Sequence, residues 1–230
     1  PMKMLLNFTI PVFVGNVFQQ LYSMADAVIV GKFVGTKGLA AVGATGTINF
    51  LIIGFLMGLT TGFTVLTSQK FGAGRMEEMR KTVGNAAILS AVVAVVMTAV
   101  SMLGMHRLLI FMHTPEDIFD GAYGYIMIIC AGIFTQVLYN LVSSVLRALG
   151  NSKTPLYFLI LAAGLNIVLD LVFIIFFHWG APGAAWATVI SQGISGLLCL
   201  VYIWKAVPEL KLKKEDWRFE PGIAGKQISV

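Results

Sequence analysis

Asp26 and Asp170 are the two residues whose type and setting promise chemistry. Each stands in a long apolar stretch, whereas the rest of the 11 acidic residues fall in polar segments. A carboxylate at a bilayer's centre costs roughly 2.5 kcal/mol or more, so one found there is read as functional. Asn166 precedes Asp170 by one helical turn, which puts both on one face. Gln19, Tyr22 or Ser23, and Asp26 follow the same 3–4 spacing. A further stripe holds Gln136, Tyr139, Asn140, Ser143 and Arg147, and another holds Thr188 and Gln192. Polar side chains in a membrane bundle turn inward, toward each other or a water-filled cavity.

A buried aspartate avoids a bare charge in one of two ways. It takes up a proton, or it coordinates a cation such as Na⁺ at Asp26, Asn166 and Asp170, with further oxygen ligands from Asn140 and Thr188. Either suits a carrier, because loading and unloading a cation changes which helix arrangement is favoured. Gln19, Tyr22, Gln136, Tyr139 and Gln192 are candidate cavity-lining residues. The plainer reading is that these groups tie helices together by hydrogen bonds worth about 0.6–2 kcal/mol each. For two aspartates without a basic partner inside the spans, that reading leaves the cost of the charge unexplained.

The elements that must carry these residues are membrane helices. The chain has 230 residues, 57% hydrophobic and 12% charged, with a mean hydropathy of +0.85. A soluble domain would be nearer a quarter charged. Six spans are expected, at about 8–34, 38–66, 83–105, 119–146, 155–177 and 183–204, followed by a basic cytoplasmic linker over 205–230. The lengths suit a hydrocarbon core about 30 Å thick. Thirteen of the 16 cations fall on one side: Lys3; Lys70, Arg75, Arg80, Lys81; Arg147, Lys153; and Lys205, Lys211, Lys213, Lys214, Arg218, Lys226. The positive-inside rule then puts both termini in the cytoplasm and leaves Lys32, Lys37 and Arg107 outside. With Asp26 nine residues before Gly35 and Asp170 eight before His178, both carboxylates sit roughly 12–14 Å below the outer helix ends.

Several functions are excluded. The net charge of +5 lies in loops and is not interleaved with aromatics, so nucleic acid is not an expected partner. Cys130 and Cys199 lie in apolar stretches and read as packing residues. His106, His113 and His178 sit at span ends without metal-ligand spacing. No nucleotide-binding loop, zinc-protease helix or nucleophile–histidine pair occurs, so no enzymatic activity and no cofactor are expected. Asp26 precedes Ala40-Ala41 by the interval that separates Asp170 from Ala184-Ala185. This faint repeat reads either as convergent packing or as two equivalent halves of one site.

Several stretches resemble the multidrug and toxic compound extrusion (MATE) transporters. They are Pro11-Val-Phe-Val-Gly-Asn16, Gln20-Leu-Tyr-Ser-Met-Ala-Asp26 with Val30-Gly31, and Leu39-Ala40-Ala41-Val42-Gly43. Next come Thr67-Ser68-Gln69 with Gly72-Ala73-Gly74-Arg75, and Leu146-Arg147 through Gly150-Asn151 to Lys153-Thr154-Pro155. The last are Asn166-Ile-Val-Leu-Asp170 and Gly183-Ala184-Ala185 through Ala187-Thr188. The resemblance implies an all-α polytopic membrane protein whose six helices form one lobe of a two-lobe (6+6) transporter. It implies a H⁺- or Na⁺-coupled antiporter that exports lipophilic or cationic organic compounds across the cytoplasmic membrane. It also implies a cation-responsive site at Asp26, Asn140, Asn166, Asp170 and Thr188, with Arg75 and Arg147 as loop landmarks. A second six-helix lobe, as a C-terminal half or a second copy, is the implied partner. The start at Pro1 and the trailing basic segment read as marks of a fragment. A flippase for lipid-linked sugars shares this helix plan but tends to line its cavity with basic residues, and none lies mid-span here. A channel or a purely structural bundle is the remaining alternative.

Overall fold

The computed structural model describes residues 2–229; side chains of residues 2–5, 7 and 214 are not described, so Pro1 and the Lys3 and Lys214 charges lie outside the described residues. The described chain is a bundle of long helices: α1 (Met2–Phe33), α2 (Thr36–Gly72), α3 (Met76–Phe111), α4 (Glu116–Ala131), α5 (Ile133–Ala148), α6 (Lys153–Leu171) and α7 (Gly180–Ala206). A π-helical turn, Val172–Phe176, extends α6. After α7 come 3₁₀ turns at Pro208–Leu210 and Lys214–Trp217, then α8 (Pro221–Ile228).

Among the described residues, four rods are long and apolar enough to cross a membrane: α2, α3, α6 with its π turn, and α7. The α4–α5 pair qualifies as a fifth, bent by 47°. The remaining rod, α1, has 32 residues, a length of about 48 Å. Its apolar run is diluted by Asn16, Gln19, Gln20 and Asp26. Counting α1 and the bent pair as one span each gives six.

Two features differ from the reading of spans by hydropathy. The stretch 119–146 is not one straight rod, because it breaks at Gly132. A Cβ there would lie 2.2 Å from a Val189 methyl, so α5 can cross α7 this closely only where the side chain is missing. The third rod is also longer than 83–105. Its first turns carry Glu77, Glu78, Arg80 and Lys81, which the helix holds beyond the apolar core.

Packing divides into two clusters. Val30, Ile52, Leu56, Ile126, Ile129 and Val189 belong to the larger one. Met79, Val83, Val142, Leu146, Cys199 and Ile203 form the second, toward the 205–230 end. Cys130 and Cys199 are buried free thiols. Helix α1 leans chiefly on α6, where a Cβ at Gly15 would just reach Leu156 and Leu159 at ordinary contact distance. Its far face leaves Leu21, Met24 and Val28 exposed, as expected for lipid contact.

The segment after α7, where a basic linker is expected over 205–230, is folded against α2 and α3. Asp216, Ala224 and Gln227 are buried there.

Candidate functional site

Three helices each contribute a pair of polar residues one turn apart. They are Tyr22 and Asp26 on α1, Asn166 and Asp170 on α6, and Thr188 and Gln192 on α7. That spacing stacks each pair on one helix face, and the packing of α6 against both α1 and α7 turns the three faces together. Asp170 and Asn166 are fully buried, and Asp26 is 8% exposed.

Asp26 and Asp170 lie close enough for each to act on the other. A carboxylate only accepts, so the Asn166 amide is satisfied at both ends when its nitrogen faces Asp170. In that orientation Nδ2 donates to Asp170 Oδ2 at 3.1 Å, and Oδ1 accepts the Thr188 backbone N–H at 3.3 Å. The Tyr22 hydroxyl donates to Thr188 Oγ1 at 3.2 Å. A single polar network therefore runs from α1 through α7 to α6 and back to α1.

The network is incomplete. Asp26 Oδ1, Asp170 Oδ1 and Gln192 Oε1 are buried without a hydrogen-bond partner. Buried polar atoms are nearly always paired, so each such orphan calls for an explanation. Among the described residues, no Lys, Arg or His pairs with either aspartate; the ion pairs all lie at the helix ends. No group of three or more His, Cys, Asp or Glu occurs among the described residues. The donor set at the pair is thus two carboxylates, an amide and hydroxyls. That all-oxygen set fits a proton or a hard monovalent cation and does not fit a soft metal.

Asp26 opens onto a cavity of about 670 Å³. Asp26, Tyr22, Gln136, Thr188 and Gln192 line it, as does Gln19 at its edge. Asp170 stands behind this wall. Asn140 and Tyr139 face elsewhere, into a smaller cavity of about 40 Å³ that they share with Arg147 and Gln19. The Tyr139 hydroxyl donates to the Pro155 carbonyl at 3.0 Å. Asp26, Asn166, Asp170 and Thr188 are therefore brought together, and Asn140 is placed apart from them. Arg147 is half-buried against the smaller cavity, bonded to Ser144 Oγ at 3.2 Å. Arg75 lies in the exposed α2–α3 turn beside Glu78.

Two residues of the larger cavity escape the spacing argument. Tyr125 on α4 is 4% exposed and lines the same wall as Asp26. Asn49 on α2 also faces it, with a buried, unpartnered Oδ1. Each was visible in sequence as a polar group inside an apolar stretch; Tyr125 has no polar neighbour at helical spacing, and Asn49 has only Thr45, whose hydroxyl turns back onto its own helix. The π turn beginning two residues after Asp170 is a further local feature. It closes with Phe177 N–H donating to Val172 O at 3.2 Å, followed by Trp179 N–H donating to Phe173 O at 3.0 Å and a stack of Phe173, Phe177 and Trp179. Turns of this kind recur beside functional groups.

A multi-pass membrane bundle enclosing a polar, acid-lined cavity is the class that the fold and the site define. The profile of the MatE family matches residues 11–172, and the chain belongs to that family. It is 34% identical over 204 residues to the probable multidrug resistance protein YpnP of Bacillus subtilis (strain 168), covering 89% of this chain and 46% of that protein. It is 31% identical over 216 residues to the probable multidrug resistance protein YoeA of the same organism, covering 92% and 47%. Its fold matches the outward-facing conformation of a multidrug resistance MATE family transporter of the MOP superfamily, with a TM-score of 0.91 and 27% identity. That match covers 99% of this chain and 51% of the other. The chain thus spans about half the length of the relatives it matches.

Proposed function

We propose that this chain is the N-terminal lobe of a multidrug efflux transporter, a H⁺- or Na⁺-coupled antiporter that expels lipophilic or cationic organic compounds across the cytoplasmic membrane. The observation that carries the reading is the buried Asp26–Asp170 pair, without a cationic partner among the described residues, of which Asp26 lines a cavity large enough for an organic molecule. Asp26, Asn166, Asp170 and Thr188 hold the coupling cation in this reading, and Asn140 acts from the neighbouring cavity. Gln19, Tyr22, Gln136 and Gln192 line the compound's path, and Tyr139 fixes the α5–α6 contact. The full activity also requires a second six-helix lobe, which closes the cavity from the other side. Both termini face the cytoplasm, and no catalytic step is involved.

The mechanism follows from electrostatics. Two like charges in contact within a low-dielectric bundle repel strongly, and a cation taken up between them replaces repulsion with attraction. Loading therefore draws α1 toward α6, and unloading releases it. Helix α1 has a built-in weak point for that movement. Pro11 lies inside the helix, where it removes one backbone hydrogen bond and crowds the preceding turn. A movement of α1 reshapes the wall that carries Tyr22 and Asp26, and with it the affinity for the compound. Coupling requires only that cation and compound favour different wall positions.

The test is efflux of a fluorescent lipophilic cation from proteoliposomes holding the two-lobe protein, under a pH or a Na⁺ gradient separately. Movement driven by one gradient supports coupled antiport and names the ion. Gradient-independent movement contradicts it, and an ionic conductance without compound would point to a channel.

A further inference from the structure

The segment that follows α7 is pinned at a particular depth. Gln227 Nε2 donates to the Phe63 carbonyl at 2.8 Å and to the Thr82 carbonyl at 2.9 Å. Asn85 Oδ1 accepts the Glu220 N–H at 2.9 Å, and its Nδ2 donates to the Arg218 carbonyl at 3.4 Å. The Asp216 backbone lies so close to Gly84 that a Cβ there would sit 2.0 Å from its carbonyl oxygen. Arg80 pairs with Asp216 and Lys81 with Glu220, each at 3.6 Å. Every anchor on α3 falls within residues 80–85, where the charged first turns give way to the apolar run from Val83. The anchor on α2 falls at Phe63, where its apolar run approaches Thr67-Ser68-Gln69-Lys70. The segment therefore lies flat beside the helices at the boundary between polar and apolar surface.

Its outward side suits that level. Trp217, Phe219 and Ile228 are 53%, 51% and 66% exposed. Lys211, Lys213, Arg218 and Lys226 are exposed as well. The acids Asp216 and Glu220 are already engaged by Arg80 and Lys81, which leaves Glu209 and Glu215 against those four cations. Aromatic side chains partition to the headgroup region, and cations are drawn to an anionic leaflet.

We propose that residues 208–229 form an interfacial element that docks on anionic phospholipid headgroups, held at membrane level by Asn85 and Gln227. Its occupant is a leaflet and not a protein, because exposed aromatics and surplus cations sit together at interface depth. This does not depend on transport, so the two readings fail separately.

The test uses the chain in vesicles, in a variant that keeps Trp217 and carries Trp179→Phe, Trp186→Phe and Trp204→Phe. Brominated phosphatidylglycerol should quench Trp217 about 2-fold or more as strongly as brominated phosphatidylcholine at the same fraction. Lys211→Gln, Lys213→Gln, Arg218→Gln and Lys226→Gln together should abolish that difference. A second measurement keeps the native tryptophans. Phosphatidylglycerol should raise the unfolding midpoint over phosphatidylcholine, and the four substitutions should remove most of the rise. Equal quenching by the two lipids, or an unchanged rise, overturns the proposal. So does quenching that disappears in the two-lobe protein, since a second lobe would then cover the surface.

Discussion

Asp26 on α1 and Asp170 on α6 are brought side by side, although almost two thirds of the chain separates them in sequence. Neither has a cationic neighbour among the described residues. Evolution of a stable bundle alone would favour an apolar or amide pair here, because a buried charge without a partner is costly.

Asp26→Asn should therefore leave the fold intact. In cation-free medium near neutral pH it should be neutral or stabilising, by up to about 4 kcal/mol, the range seen when buried charges are replaced. Chemical unfolding of the reconstituted chain measures this. In the two-lobe protein the same change should lower gradient-driven efflux ~10-fold or more, equivalent to about 1.4 kcal/mol of lost coupling. Full efflux in that variant would remove Asp26 from the mechanism.

Asn166 joins Asp170 to the Thr188 backbone. Asn166→Ala should cost about 1–3 kcal/mol, since it leaves further buried polar groups unpaired. Asn140→Ala, in the separate small cavity, should cost less, because Asn140 makes no side-chain bond to the aspartates. Comparing the two midpoints of unfolding checks this order.

At Gly132 the α5–α7 contact leaves no room for a side chain. Gly132→Ala should destabilise the chain by about 1–3 kcal/mol through overpacking against Val189. Val189→Ala in the same molecule should recover most of that loss. A double-mutant cycle that shows simple additivity would mean that the close approach does not set the bend.

The way these side chains meet explains how far the sequence carries. Asn166–Asp170 and Tyr22–Asp26 are legible because polar residues four apart in an apolar stretch must share a helix face. The depth reckoning from the outer turns places both aspartates at one level, and they meet there. Asn140 belongs to an equally regular stripe with Gln136, yet the two face different cavities. Asn140 lies one turn further along α5, where the smaller cavity replaces the larger, and hydropathy registers neither that boundary nor the bend at Gly132. Tyr125 lacks a polar partner at helical spacing, and Asn49 has only Thr45, a residue common in apolar helices, so periodicity passes over them. The docking of 208–229 is least legible of all, because Asn85 and Gln227 hold it through backbone groups, which leave no side-chain pattern.

That docking makes its own prediction. Asn85→Ala removes the partner of the Glu220 N–H and should cost about 1–3 kcal/mol, with faster hydrogen exchange over 208–229. Gln227→Ala should cost less, because the Phe63 and Thr82 carbonyls it serves lie within helices that already engage them. Equal exchange rates in wild type and Asn85→Ala would show that the segment is held by its apolar contacts instead.

Outside the spans, pH acts on the α2–α3 turn. The Lys70 ammonium, hydrogen-bonded to Glu78 and followed by weaker help from Arg75, holds that carboxyl below the usual glutamate range. A lowered folded-state value favours the fold above the ordinary carboxylate range, and the benefit is lost as pH falls through the lowered value. Lys70→Gln should return the Glu78 titration, followed by carbon NMR, most of the way to its ordinary position. Arg75→Gln should move it less.

The most direct test of the central claim needs only this chain. Its unfolding midpoint in vesicles would be followed against Na⁺ at fixed pH, and against pH without Na⁺, for the wild type and an Asp26→Asn/Asp170→Asn variant. A ligand that binds the folded form raises its stability in proportion to the logarithm of its concentration. A cation site at the carboxyl pair predicts that one of the two cations raises the wild-type midpoint and leaves the double variant unchanged. Parallel curves for both proteins under both titrations would contradict it and leave the aspartates a structural role.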